Sequence, residues 1–193
     1  MFVIKGKSIG LRKFVLGPND IKKIAGWLND GEATRFMFYG RYPANIEQVK
    51  ELFKSYIDEG KNEIFIMVDI KSGLDIGFSG IFDIDNVSKK AEPRMLIGLR
   101  EFRGDNYGME GVALLTHFAF NTLHLNKLYG GVARPNNKGA EKFYKLLGYK
   151  ILGIQKNIAY RNSQYCDGLI IDMLRSEYYP KITEFYKNNF GID

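Results

Sequence analysis

The sequence predicts a mixed α/β fold in which helices cover both faces of a mostly antiparallel sheet. Short apolar runs alternate with segments whose apolar residues recur at helical spacing. Three apolar runs separated by turns at 71–75 and 85–90 indicate an antiparallel meander. The strands predicted at 94–99 and 128–133 flank a helix, so we expect them to be parallel neighbours.

Each element follows from its own apolar pattern and from the turn and cap residues around it. Asp20 and Asn45 are the expected caps of the first two helices, because their side chains accept bonds from helix N–H groups. Pro93 has no N–H for a neighbouring strand, so we expect it at the start of its strand or at an edge. The predicted elements are, in order, a strand at 8–15, helices at 18–28 and 45–60, strands at 63–70, 76–84 and 94–99, a helix at 112–123, a strand at 128–133, a helix at 137–148, a hairpin of strands at 151–160 and 168–175, and a helix at 178–188.

Length and composition bound the class of protein. The chain has 193 residues, of which 45% are hydrophobic, so we expect a single domain over 1–193 with a full core. The net charge of +6 favours anionic ligands such as phosphorylated cofactors, nucleotide sugars or RNA surfaces. Because the basic residues are scattered, no direct nucleic-acid partner is expected.

Few residues are suited to a disulfide or a metal site. Cys166 is the single cysteine, which excludes an intrachain disulfide and a multi-cysteine metal site. His117 and His124 are two helical turns apart, too far to share one ion, so no metal is expected. The first residues do not resemble a signal peptide and the apolar runs are shorter than a membrane span, so we expect a cytoplasmic protein without a membrane partner.

The stretch 103–111 combines a strand end, a glycine-rich turn and the start of a helix. Glycine lets the backbone approach a ligand closely, and the first turn of a helix offers N–H groups to an anion. Arg103 would add a charge-assisted donor. The alternative is a tight structural corner, since such turns are common. Neither the P-loop pattern nor the dinucleotide pattern G-x-G-x-x-G is present.

Two motifs make the chain similar to the GNAT superfamily of acetyltransferases, in particular to the branch that acetylates ribosomal-protein N-termini and small amines. The segment 101–110, EFRGDNYGME, is similar to the family's acetyl-CoA loop, Q/R-x-x-G-x-G/A. The segment 137–149, NKGAEKFYKLLGY, resembles N-x-x-S-x-x-x-Y-x-K-x-G-F. The resemblance covers roughly residues 8–175, and 176–193 form a C-terminal helical extension.

The resemblance implies a GNAT-like fold with a splayed parallel strand pair and a cosubstrate, acetyl-CoA, bound without a metal. Asn106 stands where the family usually has glycine, and we expect it to tolerate a left-handed backbone. Ala140 replaces a serine and loses one hydroxyl. The resemblance places acetyl-CoA contacts on Ile97, Gly98, Leu99, Arg103, Gly104, Asp105, Asn106, Tyr107, Gly108, Met109, Asn137 and Lys142.

The implied reaction is direct attack of an amine on the thioester, through a tetrahedral intermediate. Tyr144 matches the family's acid, which protonates the leaving thiolate, although a core tyrosine is the alternative. Glu92 is the candidate base that accepts the amine proton, with a water chain or a plain surface carboxylate as alternatives. A backbone N–H of the strand at 94–99 would stabilise the oxyanion.

The acceptor amine is the least defined part. Its pocket is expected between 32–42 and 158–166, where acids are few, so we rank an amino sugar or a protein N-terminus above a polyamine. The alternative to an enzyme is an inactive acyl-CoA-binding or ribosome-associated module. The aromatic tail could form a homodimer contact, although packing on the domain is the default. The candidate pocket residues are Trp27, Phe36, Tyr39, Tyr160, Arg161 and Tyr165.

Overall fold

The computed structural model describes residues 1–35, 37, 43–104, 106–134, 138–161, 163–179 and 181–192. The strands are β1 (Ile4–Lys5), β2 (Ile9–Lys13), β3 (Glu63–Asp69), β4 (Asp75–Asp85), β5 (Lys90–Ile97), β6 (Lys127–Arg134), β7 (Lys150–Arg161) and β8 (Gln164–Leu174). The α-helices are α1 (Pro18–Leu28), α2 (Ile46–Asp58), α3 (Tyr107–His117), α4 (Lys138–Leu146), α5 (Arg175–Tyr178) and α6 (Lys181–Phe190). A 3-10 turn at Arg100–Phe102 precedes α3, and a π-helical turn at Phe118–Thr122 continues it.

One mixed sheet organises the molecule, with the strand order β1-β2-β3-β4-β5-β6-β8-β7. Among the described strands, β5 and β6 are parallel and the other neighbouring pairs are antiparallel. The predicted mixed α/β sheet and its parallel pair are confirmed. The predicted helix at 112–123 begins five residues earlier, so the glycine-rich stretch itself forms its first turns.

The parallel strands β5 and β6 separate soon after they begin. They pair only at Lys90 with Lys127 and at Ala91 with Leu128. By contrast, the pairing of β4 with β5 continues to Ile97. The two strands therefore enclose a gap that widens toward their carboxyl ends, as the splayed pair predicts.

Peptide groups along β5 alternate between its two neighbours. The Gly98 amide donates to the Ile76 carbonyl at 2.8 Å, so the even-numbered residues here bond toward β4. The peptide groups of Met95 and Ile97 consequently face the gap. This open edge can bond to a ligand.

Pro93 lies within β5, three residues after its start at Lys90. By the same alternation its nitrogen faces the gap. Since none of the described strands pairs there, the missing N–H of proline does not cost the sheet a hydrogen bond. The expectation of a strand start is wrong, and the expectation of an edge is confirmed.

Two hydrophobic cores lie on opposite faces of the sheet. The first packs α3 and the C-terminal helices on residues such as Phe65, and Ala91 is part of it. The second packs α1 and α2 around Phe53 and Phe78, and Leu96 belongs to it. Helices on both faces are therefore confirmed, and successive β5 side chains serve different cores.

The caps of the first two helices differ from one another. Asn45 caps α2 in a reciprocal pair with Gln48, as predicted, with both bonds at 2.9 Å. Asp20 does not cap α1, which begins after Gly17 without a side-chain cap. The Asp20 carboxylate instead pairs with Arg12 at 2.7 Å, so an ion pair takes the side chain that the cap would need.

The C-terminal residues pack on the domain rather than extending from it. Tyr178 and Tyr186 are fully buried in the first core. The Tyr186 hydroxyl donates to the Leu147 carbonyl at 2.9 Å, and the Lys7 amide donates to the Phe190 carbonyl at 2.9 Å. No helix among the described residues is long and apolar enough to cross a membrane.

Candidate active site

A cleft of about 1040 Å³ opens beside the gap between β5 and β6. Several parts of the chain contribute to it, among them the end of β5, the loop before α3, the start of α3, helix α4, and the segment that follows α1. Its described lining is Asp30, Glu32, Ala33, Arg35, Met37, Met95, Leu96, Ile97, Arg100, Arg103, Gly104, Asn106, Gly108, Met109, Val112, Val132, Phe143 and Tyr144.

The loop before α3 bends at Gly104, whose φ of +106° favours glycine. Asn106 has a φ of −66° and is right-handed, so the tolerance of asparagine for a left-handed backbone is not needed at this position. Because Gly104 already provides the bend, Asn106 can simply begin the helix. Gly104, Asn106, Gly108 and Met109 all line the cleft, where the first turn of α3 presents its N–H groups.

Arg103 ties this loop to two other parts of the site. Its Nε donates to the Ile97 carbonyl at 3.0 Å, and its Nη2 donates to Asp30 Oδ2 at 2.5 Å and to the Gly98 carbonyl. The hydrogen bond from Arg103 lowers the pKa of Asp30. Two guanidinium nitrogens thus bond to protein groups beside the predicted anion site.

The end of β5 presents one of its three predicted contact residues to the cleft. Ile97 lines the cleft, with its peptide group on the open edge. The amides of Gly98 and Leu99 both donate to the Ile76 carbonyl, at 2.8 and 3.1 Å. Gly98 also packs on Trp27, because a Cβ there would lie 2.1 Å from the indole ring.

The remaining predicted contacts lie elsewhere. The Tyr107 hydroxyl donates to Asp69 at 2.9 Å, and Lys142 is exposed on α4; neither is part of the described cleft lining. Asp105 and Asn137 lie outside the described residues.

Tyr144 lines the cleft from α4, with its ring against those of Phe143 and Tyr149 at centroid distances of 5.0 and 5.6 Å. Burial, and to a lesser extent the charge of Glu92, raises the pKa of Tyr144 to about 12. The phenol is therefore protonated at neutral pH, which an acid or a hydrogen-bond donor requires.

Glu92 lies at the narrow end of the gap. It pairs with Phe82 across the ladder and with Arg94, whose Nη2 is 2.6 Å from Glu92 Oε2. Its other oxygen reaches toward β6, so that a Cβ on Gly130 would lie 3.6 Å from Oε1. Glu92 thus approaches the gap from β5 and Tyr144 approaches it from α4, although Glu92 is not part of the described cleft lining.

Comparisons with known proteins agree with this geometry. The family described as acetyltransferase (GNAT) domain matches residues 9–150. The chain belongs to the GNAT acetyltransferase family. It is an acetyl-CoA-dependent N-acetyltransferase, and acetyl-CoA is its cosubstrate. The inactive module that the sequence left open is not supported.

Several relatives cover nearly the whole acetyltransferase. Spermidine N(1)-acetyltransferase of Escherichia coli is 25% identical over 89% of this chain and 88% of its own. An uncharacterized N-acetyltransferase, p20, of Bacillus licheniformis is 24% identical over 89% and 96%. The structure of Vibrio cholerae spermidine N-acetyltransferase with CoA and spermine has a TM-score of 0.79 at 23% identity, over 89% and 98%. The ribosomal-protein branch remains a prediction.

The residues predicted for the acceptor pocket are not all part of the cleft. Trp27 is a buried core residue, and Tyr160 and Tyr165 form an exposed ring pair 5.0 Å apart, beyond the described lining. Phe36, Tyr39 and the Arg161 side chain lie outside the described residues.

The segment after α1, which overlaps the predicted acceptor stretch 32–42, lines the cleft with two acids, and both acids are paired to arginines. Asp30 pairs with Arg103, and Glu32 pairs with Arg35 at 3.2 Å. Sequence reasoning missed Met95, Val132 and Phe143 as lining residues; strand alternation from Ile97 would have identified Met95. Among the described residues, no group of three His, Cys, Asp or Glu could hold a metal.

Proposed function

We propose that this acetyltransferase acetylates a primary amine of a polyamine. The relatives support this substrate class, since one is named spermidine N(1)-acetyltransferase and one structure holds CoA and spermine. The sequence ranked polyamines lower because acids near the expected pocket are few and arginines offset them. Pairing weakens that reason, because Arg103 and Arg35 are each neutralised by a carboxylate of the same cleft.

The open edge of β5 is the observation that carries the proposal for acetyl-CoA. The phosphates would bind at Gly104, Asn106 and Gly108, on the first turn of α3. The pantetheine amides would bond, like an added strand, to the peptide group of Met95 and to the Ile97 N–H, since the Ile97 carbonyl already accepts from Arg103. The thioester then lies deep in the gap, between Tyr144 and Glu92.

In the proposed reaction the amine loses a proton, attacks the carbonyl and expels the thiolate. Glu92 is the proposed base, reaching the gap with the oxygen that faces Gly130. Tyr144 is the proposed donor to the leaving sulfur. Because a thiol pKa is about 8.5, far below that of Tyr144, the phenol keeps its proton and donates a hydrogen bond to the leaving thiolate, while Glu92 passes the amine proton to solvent.

A second acceptor class follows from the charges of the cleft. Three arginines line it against two carboxylates, and Arg100 has no carboxylate partner among the ion pairs of the described lining. An amine that carries a phosphate, such as a nucleotide-linked amino sugar, would gain from this balance.

Initial rates of CoA release test the proposal with spermidine, a nucleotide-linked amino sugar and a peptide with a free N-terminus. We expect spermidine to have a kcat/KM at least about tenfold above either competitor, a difference of about 1.4 kcal/mol in transition-state stabilisation. A faster amino sugar or peptide would overturn the polyamine assignment and leave the N-acetyltransferase activity intact.

A further inference from the structure

Arg103 connects the cosubstrate loop, the end of β5 and the acceptor-side segment. Its Nε bonds to the Ile97 carbonyl, and its Nη2 bonds to the Gly98 carbonyl and to Asp30. Asp30 directly follows Asn29, the C-cap of α1, and Asp30 and the next residues line the cleft on the acceptor side. One guanidinium therefore touches both halves of the cleft.

Asp30 builds the first turn of the acceptor-side segment with its remaining acceptors. Its Oδ1 accepts from the amides of Glu32 and Ala33, at 2.9 and 3.3 Å. Its carbonyl accepts from the amide and the hydroxyl of Thr34, both at 3.1 Å. Thr34 is buried, so the position of Asp30 determines where this turn lies.

A pair of hydrogen bonds between Asn29 and Ala44 holds together the two ends of the segment that connects α1 to α2. The Asn29 side chain donates to the Ala44 carbonyl at 2.8 Å and accepts from the Ala44 amide at 3.0 Å. These two bonds join the end of α1 to the start of α2. They leave the turn beside the cleft to be positioned by Asp30.

We propose that Asp30 is a positioning residue that couples the acetyl-CoA half of the cleft to its acceptor half. Binding of phosphates fixes the loop at Gly104, and with it the adjacent Arg103. The guanidinium holds Asp30, and Asp30 holds the turn at 32–34. Acetyl-CoA thus orders the acceptor side before the amine arrives, and the two ligands bind with positive cooperativity.

The pair is less exposed to solvent than the neighbouring ion pair, which suits this role. The Arg103 and Asp30 side chains are 21% and 38% exposed, so solvent screens them less than a surface pair. The neighbouring pair of Glu32 and Arg35 is 75% and 57% exposed and stays within one segment. That pair supplies a matched control.

Amide hydrogen exchange with and without CoA tests the coupling without any acceptor. CoA should slow exchange at residues 106–112 and, through Asp30, at residues 32–34 by about tenfold in the wild-type protein. Asp30→Asn retains a side-chain oxygen that can accept from the amides of Glu32 and Ala33, but it removes the ion pair with Arg103. It should lose the effect at 32–34 and keep the effect at 106–112, and Arg103→Lys should lose the effect at 32–34. Glu32→Gln should keep both effects.

Each outcome decides a different point. Full CoA-dependent protection at 32–34 in both Asp30→Asn and Arg103→Lys would overturn the coupling. Absence of protection at 106–112 in the wild-type protein would instead contradict the proposed acetyl-CoA placement, on which the coupling rests. Thermal unfolding without CoA identifies a misfolded variant. If the role of Asp30 were merely structural, the substitution would change hydrogen exchange equally with and without CoA.

The affinity for spermidine provides a second measurement. Calorimetric titration in the presence and absence of CoA should give at least about a fivefold tighter Kd with CoA, and Asp30→Asn should bring that ratio close to one. If spermidine does not bind, the polyamine proposal fails while the exchange experiment still decides the role of Asp30. An unchanged ratio in Asp30→Asn would contradict the coupling.

Discussion

The two edges of β5 differ in what they bond to. Toward β4, the strand is paired from Lys90 to Ile97. Toward β6, pairing ends after Ala91, and the following peptide groups face a cleft. The paired edge fixes the strand in the sheet, while the open edge is available to the cosubstrate.

The difference shows how one strand supports structure and catalysis at once. A sheet normally uses both edges of an interior strand, so an open edge costs ladder bonds that a ligand can replace. The rigidity of the paired edge then holds the open peptide groups in place. Disturbing each edge separately should therefore affect different properties.

The largest expected effect comes from Tyr144, at the deep end of the open edge. Tyr144→Phe should lower kcat by about 10²–10⁴-fold, because the leaving sulfur loses its donor. Acetyl-CoA binding should persist, since the ring and its contacts with Phe143 and Tyr149 remain. Steady-state kinetics and calorimetric titration with acetyl-CoA measure the two quantities.

The pH dependence of stability gives an independent check on Tyr144. Its pKa is raised above the ordinary tyrosine value, so its contribution to stability is full below about pH 10 and is lost as the pH rises toward 12. Tyr144→Phe should therefore lose less stability over that range than the wild-type protein. In the kinetic experiment, an unchanged kcat for Tyr144→Phe would show that Tyr144 is not the donor to the leaving sulfur.

Glu92, at the narrow end of the gap, should have the next largest effect. Glu92→Gln retains an acceptor for Arg94 but cannot take a proton, so we expect kcat/KM to fall by about 10²-fold. The rate should recover partly at high pH, where more of the amine is already neutral. Initial rates from pH 6 to 10 measure this.

A full rate in Glu92→Gln would assign the proton to a water chain. Asp58→Asn is a suitable control, because the exposed Lys54–Asp58 pair on α2 lies outside the described cleft lining. That control should leave both kinetic constants unchanged.

Prediction from the sequence worked best for features that are built from backbone groups. The glycine bend at Gly104 and the asparagine cap at Asn45 leave residue-type signals, and the parallel pair follows from chain order. Asp20 was misassigned because an ion pair with Arg12 of β2 competed with the local cap. The acceptor side leaves no such signal, because Asp30 and Arg103 meet through tertiary contacts 73 residues apart in sequence.

The paired edge can be broken at Gly77 on β4. A Cβ at that position would lie 2.1 Å from the Leu96 carbonyl oxygen, so the backbone of β5 must move. Gly77→Ala should reduce the free energy of unfolding by about 1–3 kcal/mol. Gly153→Ala on β7 has open space around its Cβ and should change it by less than about 0.5 kcal/mol. Urea titration compares the two; equal stability would show that β5 adapts freely.

The smallest effect is expected at Gly130, on β6 across the open edge. A Cβ there would lie 3.5 Å from Glu92 Cγ and 3.6 Å from Oε1, an ordinary contact, so Gly130→Ala should fold with nearly wild-type stability. The methyl group would sit against the oxygen that faces the gap and hinder the amine. We expect kcat/KM to fall severalfold with an unchanged Kd for acetyl-CoA. A lower stability with unchanged kinetics would reverse the assignment, because the open edge would then be structural at this position.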